Sequence, residues 1–301
     1  MKKRISTVFL MMFVLLLWTP VVWADSAGLA ANVEEVYQSE TSALDDAGDA
    51  EEMISEVKDA AETAVEAVEE AIPPAPADPI DIAEDLVKEG GIENTKKALD
   101  LALEAVKKEP NSYRANWMAA RTCREYANEI KRSERQGWED VCKEYGKKGM
   151  NYAEKATQLN PDGVEGYYWY GTSVGIYSDG TGILTALREG LKDKTQSNFE
   201  TAYKIDKTYQ KGGPIIALGR FWYVLPWPLN DKTKSMEYFR EFQKTEFYRH
   251  PKTPEFNVYF AELLMDSRGT RDEAKALLQD VPNFSADAYW NKRAKDLLSG
   301  L

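Results

Sequence analysis

From Ile80 onward, apolar positions recur every three and four residues, the spacing of a helix with one buried face. Ala, Leu, Glu and Lys dominate these stretches, and no sustained alternating run of β-branched residues competes with the helical reading. Turn chemistry punctuates the pattern at Gly90-Gly91, Ser178-Asp179-Gly180, Leu229-Asn230-Asp231 and Ser267-Arg268-Gly269. The periodic segments pair into helical hairpins over 80–108, 112–158, 164–206, 214–246 and 254–279, closed by a last helix over 285–299.

The hairpins carry a repeated spacing of small residues. Ala98, Ala102 and Ala105 stand twelve, eight and five residues before Pro110, and Gly149, Ala153 and Ala156 stand at the same offsets before Pro161. Ten residues after each proline come Ala120 and Gly171. These positions resemble the tetratricopeptide repeat, which places small residues where two helices touch and a proline after the second helix. Phe199 and Ala202 keep two of the offsets with Lys207 in the proline slot, and Leu218-Gly219 arrives two residues late, a slip the Gly212-Gly213 turn can absorb. The two prolines are 51 residues apart, so the second hairpin is longer than the usual repeat. The fold predicted is an all-α solenoid of degenerate tetratricopeptide-repeat hairpins, which bury a core only by stacking on one another.

In such hairpins the first helix of each repeat lines the concave groove. With the close-contact residue as reference, the groove positions lie three before, one after and four after it. They are Trp117, Arg121 and Arg124, with Arg114 a turn earlier, then Tyr168, Thr172 and Gly175, then Ile216, Arg220 and Tyr223. Such a lining suits a carboxylate-bearing or amphipathic ligand, or an acidic peptide, through bidentate arginine contacts and ring stacking. The competing reading makes the rings helix–helix core and lets the arginines reach water along their stems. The arginines stand open between the two, whereas Tyr167, Trp169 and Tyr170 fall on the core side.

Charge changes the picture at the N-terminus. The net charge of −12 is concentrated in residues 25–78, which hold sixteen acids and the single base Lys58, while 79–301 balances to zero. A neutral body argues against bulk nucleic-acid binding, which needs a basic patch. Lys2, Lys3 and Arg4 precede the apolar run Val8 to Trp18, and Val22-Trp23-Ala24 offers a cleavage site, so residues 1–24 read as a secretory signal, cleaved after Ala24 or kept as an uncleaved anchor. Residues 25–79 read as an acidic linker. Within it Ile54, Val57, Ala61, Ala64, Val68 and Ala71 form an a/d seam, either a short coiled coil that helps an oligomer form or a solvated acidic helix. Prolines 73, 74, 76 and 79 stiffen the passage into the repeat domain, 80–301. Cys123 and Cys142 fall at similar heights on the two arms of one hairpin, which allows a disulfide or two buried thiols.

Little else carries chemistry. Gly171-Thr172-Ser173-Val174-Gly175 matches the nucleophile-elbow string, but it falls inside a helix, and the sole histidine, His250, lies in a loop beside Pro251. One His and two Cys do not make a closed zinc set, and no phosphate-binding loop is present. The expectation is a non-catalytic protein with no cofactor and no metal.

Gly212-Gly213-Pro214, Ala217-Leu218-Gly219-Arg220, Leu225-Pro226-Trp227-Pro228, Asp231 and Lys234-Ser235 together resemble the T-component family of bacterial TRAP transporters. The resemblance covers roughly residues 80 to 300. It implies a periplasmic, non-catalytic helical protein that can assemble as a trimer and works with the substrate-binding protein of an uptake system for small organic ligands. Lipoprotein members carry a lipidated Cys, and this chain has none near Ala24. A more distant likeness is to the regulators of microtubule dynamics, which also place an apolar N-terminal segment and a coiled coil before such repeats. The alternative function is a structural envelope scaffold that binds peptide segments and has no link to transport.

Overall fold

The computed structural model describes residues 78–301. The expected secretory signal, the acidic a/d seam and the linker prolines before Asp78 lie outside the described residues. The chain divides into Met1–Pro76 and Ala77–Leu301, and every element below belongs to the second unit.

The helices are α1 (Pro79–Glu89), α2 (Ile92–Lys108), α3 (Tyr113–Arg132), α4 (Trp138–Leu159), α5 (Val164–Thr181) and the single turn-and-a-half α6 (Ile183–Arg188). There follow α7 (Leu191–Asp206), α8 (Tyr209–Val224), α9 (Lys232–Phe242), α10 (Pro254–Met265), α11 (Arg271–Phe284) and α12 (Ala288–Leu298). Five hairpins result, α1–α2, α3–α4, α5–α7, α8–α9 and α10–α11, with α12 as the closing helix. Local sequence explains several ends. The Asp78 carboxylate accepts the Ile80 N–H at 2.8 Å, with Pro79 in the first turn where its missing N–H costs nothing. The Ser112 hydroxyl accepts from the Ala115 N–H at 3.3 Å and so starts α3.

Packing follows the small residues. Ala98, Ala102, Ala120, Ala153, Ala156 and Ala202 are all fully buried. A Cβ on Gly149 would meet the Ser173 hydroxyl at 2.5 Å, and one on Gly146 would meet the Tyr177 backbone nitrogen at 2.6 Å, so α4 and α5 approach almost backbone to backbone. At the C-terminal end the core is aromatic. Phe239, Phe242, Phe256 and Phe260 are fully buried against one another with centroids 4.4 to 5.8 Å apart. Each such ring contributes about 1.5–3 kcal/mol of burial. First helices touch along the row (α1 with α3, α3 with α5, α5 with α8, α8 with α10, α10 with α12), while the second helices pack between first helices and not against one another, with α7 also against the short α6. That asymmetry curves the stack with the first helices inside.

Two expectations need correction, and the cysteines take the second of their two readings. Ser178-Asp179-Gly180 is not a turn, since α5 continues to Thr181 and Gly182, at φ 83°, ends it. Gly180 is needed for packing, because a Cβ there would lie 2.3 Å from the Glu139 carbonyl oxygen of α4. Helix α11 runs on to Phe284 and holds Pro282 in its last turn, where only one helical hydrogen bond is forfeited. Cys123 and Cys142 are free thiols, both fully buried, and the Cys142 thiol donates to the Ala127 carbonyl at 3.6 Å instead of pairing with Cys123. Burial pushes both thiols up, Cys123 to about 12 and Cys142 to about 11, which keeps them protonated and unreactive.

Candidate binding groove

Each first helix shows the inner side one stripe of incompletely buried residues at helical spacing. On α5 the stripe is Tyr168, Thr172, Gly175 and Asp179, and on α10 it is Glu255, Tyr259, Glu262 and Asp266. On α3 it runs from Arg114 through Trp117, Arg121 and Arg124 to Arg132, with Arg121 sunk to 7% exposure. On α8 it comprises Ala217, Arg220 and Tyr223. Gly175 opens the centre of the wall, since a Cβ there would meet nothing within 4 Å.

The structure brings most of the expected residues onto this wall and gives them different tasks. Arg114 is held by Asp78 and Asp81 at the start of α1. Trp117 packs against the apolar clusters on both sides of α3. Arg121 has a 3.5 Å ion pair with Glu84 and stacks over Trp169, with 5.5 Å from guanidinium carbon to ring centroid. Trp169 in turn donates its indole N–H to the Tyr209 hydroxyl at 3.0 Å, and Tyr168 meets both rings edge-on. Arg124 donates to Glu125 at 2.8 Å. Burial works against its charge, but the Glu125 carboxylate together with the Tyr168 and Tyr259 side chains outweighs it, so its pKa rises. The Thr172 hydroxyl is spent on the Tyr168 and Trp169 carbonyls of its own helix.

Arg220 sits on the wall but is not free. It pairs with Glu262, lies 4.3 Å over the Tyr259 ring, and Glu262 also binds Arg293 of α12 at 2.9 Å. Tyr223 donates to Asp266 at 3.1 Å. Ile216, expected on the wall, is buried in the C-terminal core. Ser173 is fully buried inside α5, and the His250 Nδ1 accepts the Lys252 N–H in an exposed turn, so the elbow string has no strand-to-helix turn around it.

Sequence reading missed the α10 stripe and the far end of α3. The offsets used for α3 and α5 give Glu255, Tyr259 and Glu262 when counted from Val258, which is fully buried. Val258 is not a small residue, so nothing marked it as the reference. Burial raises the Glu255 carboxyl to about 7, with Asp287 and Glu125 adding to the effect and Arg124 opposing it. Burial also raises the Tyr168 and Tyr259 phenols, and takes Tyr209 to about 12, so all three hydroxyls stay protonated donors. The wall ends at a clasp. Arg132 binds both oxygens of Asp287, at 2.5 and 2.6 Å, and lies 5.0 Å over Tyr289. On the outer side, a cavity of about 420 Å3 is lined by Lys207, Glu237, Arg240, Glu241, Lys244 and Thr245. Lys207 is paired there with Glu241 at 2.9 Å, and Arg240 with Glu273, so its charges are largely spent. Among the described residues no cluster of His, Cys, Asp or Glu is arranged to hold a metal ion.

The family model described as regulator of microtubule dynamics protein 1-3 matches residues 80–225. Among solved structures, the chain is similar to a thermophilic TPR protein of Thermus thermophilus, TTC0263, at 17% identity and a TM-score of 0.54, over 73% of this chain and 97% of that one. It is also similar to yeast Tom70, at 10% identity and a TM-score of 0.33, over 90% of this chain and 78% of that one. No curated protein sequence matches the chain. The first likeness shows the fold, and this is a tetratricopeptide-like helical repeat protein.

Proposed function

We propose that this tetratricopeptide-like chain is a non-catalytic scaffold that takes an extended segment of another protein along its inner wall. The observation that carries the reading is the set of incompletely buried stripes on α3, α5, α8 and α10, with aromatic rings, the Tyr168 and Tyr259 hydroxyls and an open centre at Gly175. An extended segment can use such a wall along its length. As a scaffold it needs no cofactor and no metal. A photo-crosslinking residue at Gly175 should capture a partner that the same probe at Lys244, on the outer side, does not. Capture from both positions, or from neither, would defeat the reading.

In its finer form the partner is the substrate-binding protein of a TRAP-type uptake system, in the periplasm, with a small anionic or amphipathic molecule as a second occupant. The block Gly212 to Ser235 and the apolar N-terminal run after Lys2-Lys3-Arg4 support that form. Identification of the cross-linked partner decides between it and an envelope scaffold unrelated to transport. Sedimentation of the full chain tests the trimer that the same likeness suggests.

A further inference from the structure

We infer that Arg121 and Arg124 form an oxyanion anchor in the inner wall that holds an acidic side chain of the bound segment. The inference rests on the groove reading above and specifies the chemistry of its occupant.

The other arginines along this wall are already matched. Arg114 has Asp78 and Asp81, Arg132 has Asp287, and Arg220 and Arg293 share Glu262. Arg121 and Arg124 differ. The Arg121 side chain is only 9% exposed, yet its sole ion-pair partner among the described residues, Glu84, stands off at 3.5 Å without a hydrogen bond. Its buried Nε has no partner, and neither has the buried Nε of Arg124, which spends one donor on Glu125. A guanidinium presents five N–H donors in a fixed fork, and at both residues the Nε donor is left unused in a place where leaving it unused is costly.

Geometry favours a shared ligand. Residues three apart on a helix are surface neighbours, so the two side chains leave α3 from one face. Trp169, fixed by its hydrogen bond to Tyr209, backs Arg121 and holds its plane. A planar carboxylate matches these forks. A phosphate group would bring more negative charge against Glu84 and Glu125, so the single charge of an Asp or Glu side chain fits better. Glu84 then acts as a loose placeholder for the ligand's carboxylate.

The test uses the full chain and two probes, acetylated hexaglutamate and acetylated hexaglutamine, with affinity measured by titration calorimetry. Hexaglutamate should bind about tenfold or more tightly than hexaglutamine, the scale of a charge-assisted bidentate contact. Arg124→Gln should erase that preference, and Glu84→Gln should increase it several-fold by removing the placeholder. The Glu84→Gln gain cannot arise from misfolding. Equal affinity for both peptides, no binding of hexaglutamate, or an unchanged preference in Glu84→Gln would overturn the anchor. Gly175→Trp, which fills the centre of the wall, separates the two claims. If hexaglutamate keeps full affinity for that variant while losing it in Arg124→Gln, the anchor stands and the extended groove fails.

Discussion

Gly171 and Gly175 lie one turn apart on α5 and face different surroundings. A Cβ at Gly171 would lie 2.3 Å from the ring of Phe199 on α7, which is buried against Leu218 and Phe221 of α8 and has little room to move. At Gly175 the same atom meets nothing within 4 Å. Glycine in a helix interior costs about 1 kcal/mol relative to alanine. Chemical denaturation should therefore show Gly175→Ala more stable by about 0.5–1 kcal/mol and Gly171→Ala less stable by about 1–3 kcal/mol. A second residue-scale prediction concerns Glu255, whose carboxyl burial raises to about 7 from an ordinary value of 4.5. Below the ordinary value both folded and unfolded chains carry the proton. Between the two values the folded chain keeps a proton that the unfolded chain has released, so this group's contribution to stability falls as pH rises through that window. Glu255→Gln should match the wild type near pH 4 and exceed it at pH 8 by on the order of 1–3 kcal/mol, as measured by denaturation at the two pH values.

At the scale of elements, the entry to α8 shows where sequence information ended. Hydrophobic periodicity and turn residues located the five hairpins, and the small-residue offsets located the inner stripes of α3 and α5, because Ala and Gly are required where helix axes come close. They also showed that two residues were extra before Leu218-Gly219. They could not show how the chain absorbs them. Gln210, Lys211 and Gly212 all take left-handed backbone angles, with φ of 49°, 58° and 78°. Only the glycine marks such a conformation in a sequence. The partners of the arginines were equally hidden, since Glu262 is 42 residues from Arg220 and only stacking brings them together. Left-handed backbone costs a side-chain-bearing residue about 1–2 kcal/mol. Lys211→Gly relieves this but adds unfolded-chain entropy, so a net gain of about 0.5 kcal/mol is expected. A loss on thermal unfolding would mean that the Lys211 side chain is itself holding the turn.

For the repeat unit as a whole, the clasp between α3 and α12 matters most. In a solenoid each repeat contacts only its neighbours, so the ends can open without disturbing the middle. Here Arg132 reaches Asp287 across 155 residues of sequence, with both groups about three-quarters shielded from water. Asp287 has a second task, because its carboxylate also accepts the Trp290 N–H at 3.1 Å and caps α12. Asp287→Asn separates the two roles: asparagine caps a helix about as well, but it cannot complete the charged pair. The variant should lose about 1–2 kcal/mol. In native-state hydrogen exchange α12 should open ahead of α1–α4, where the wild type opens α12 and α3 together. Asp287→Ala should lose about 1 kcal/mol more, the cost of the cap. If Asp287→Asn leaves α12 protected as in the wild type, the contacts of Trp290 and Arg293 hold the closing helix without the clasp. The wall would then be open at that end.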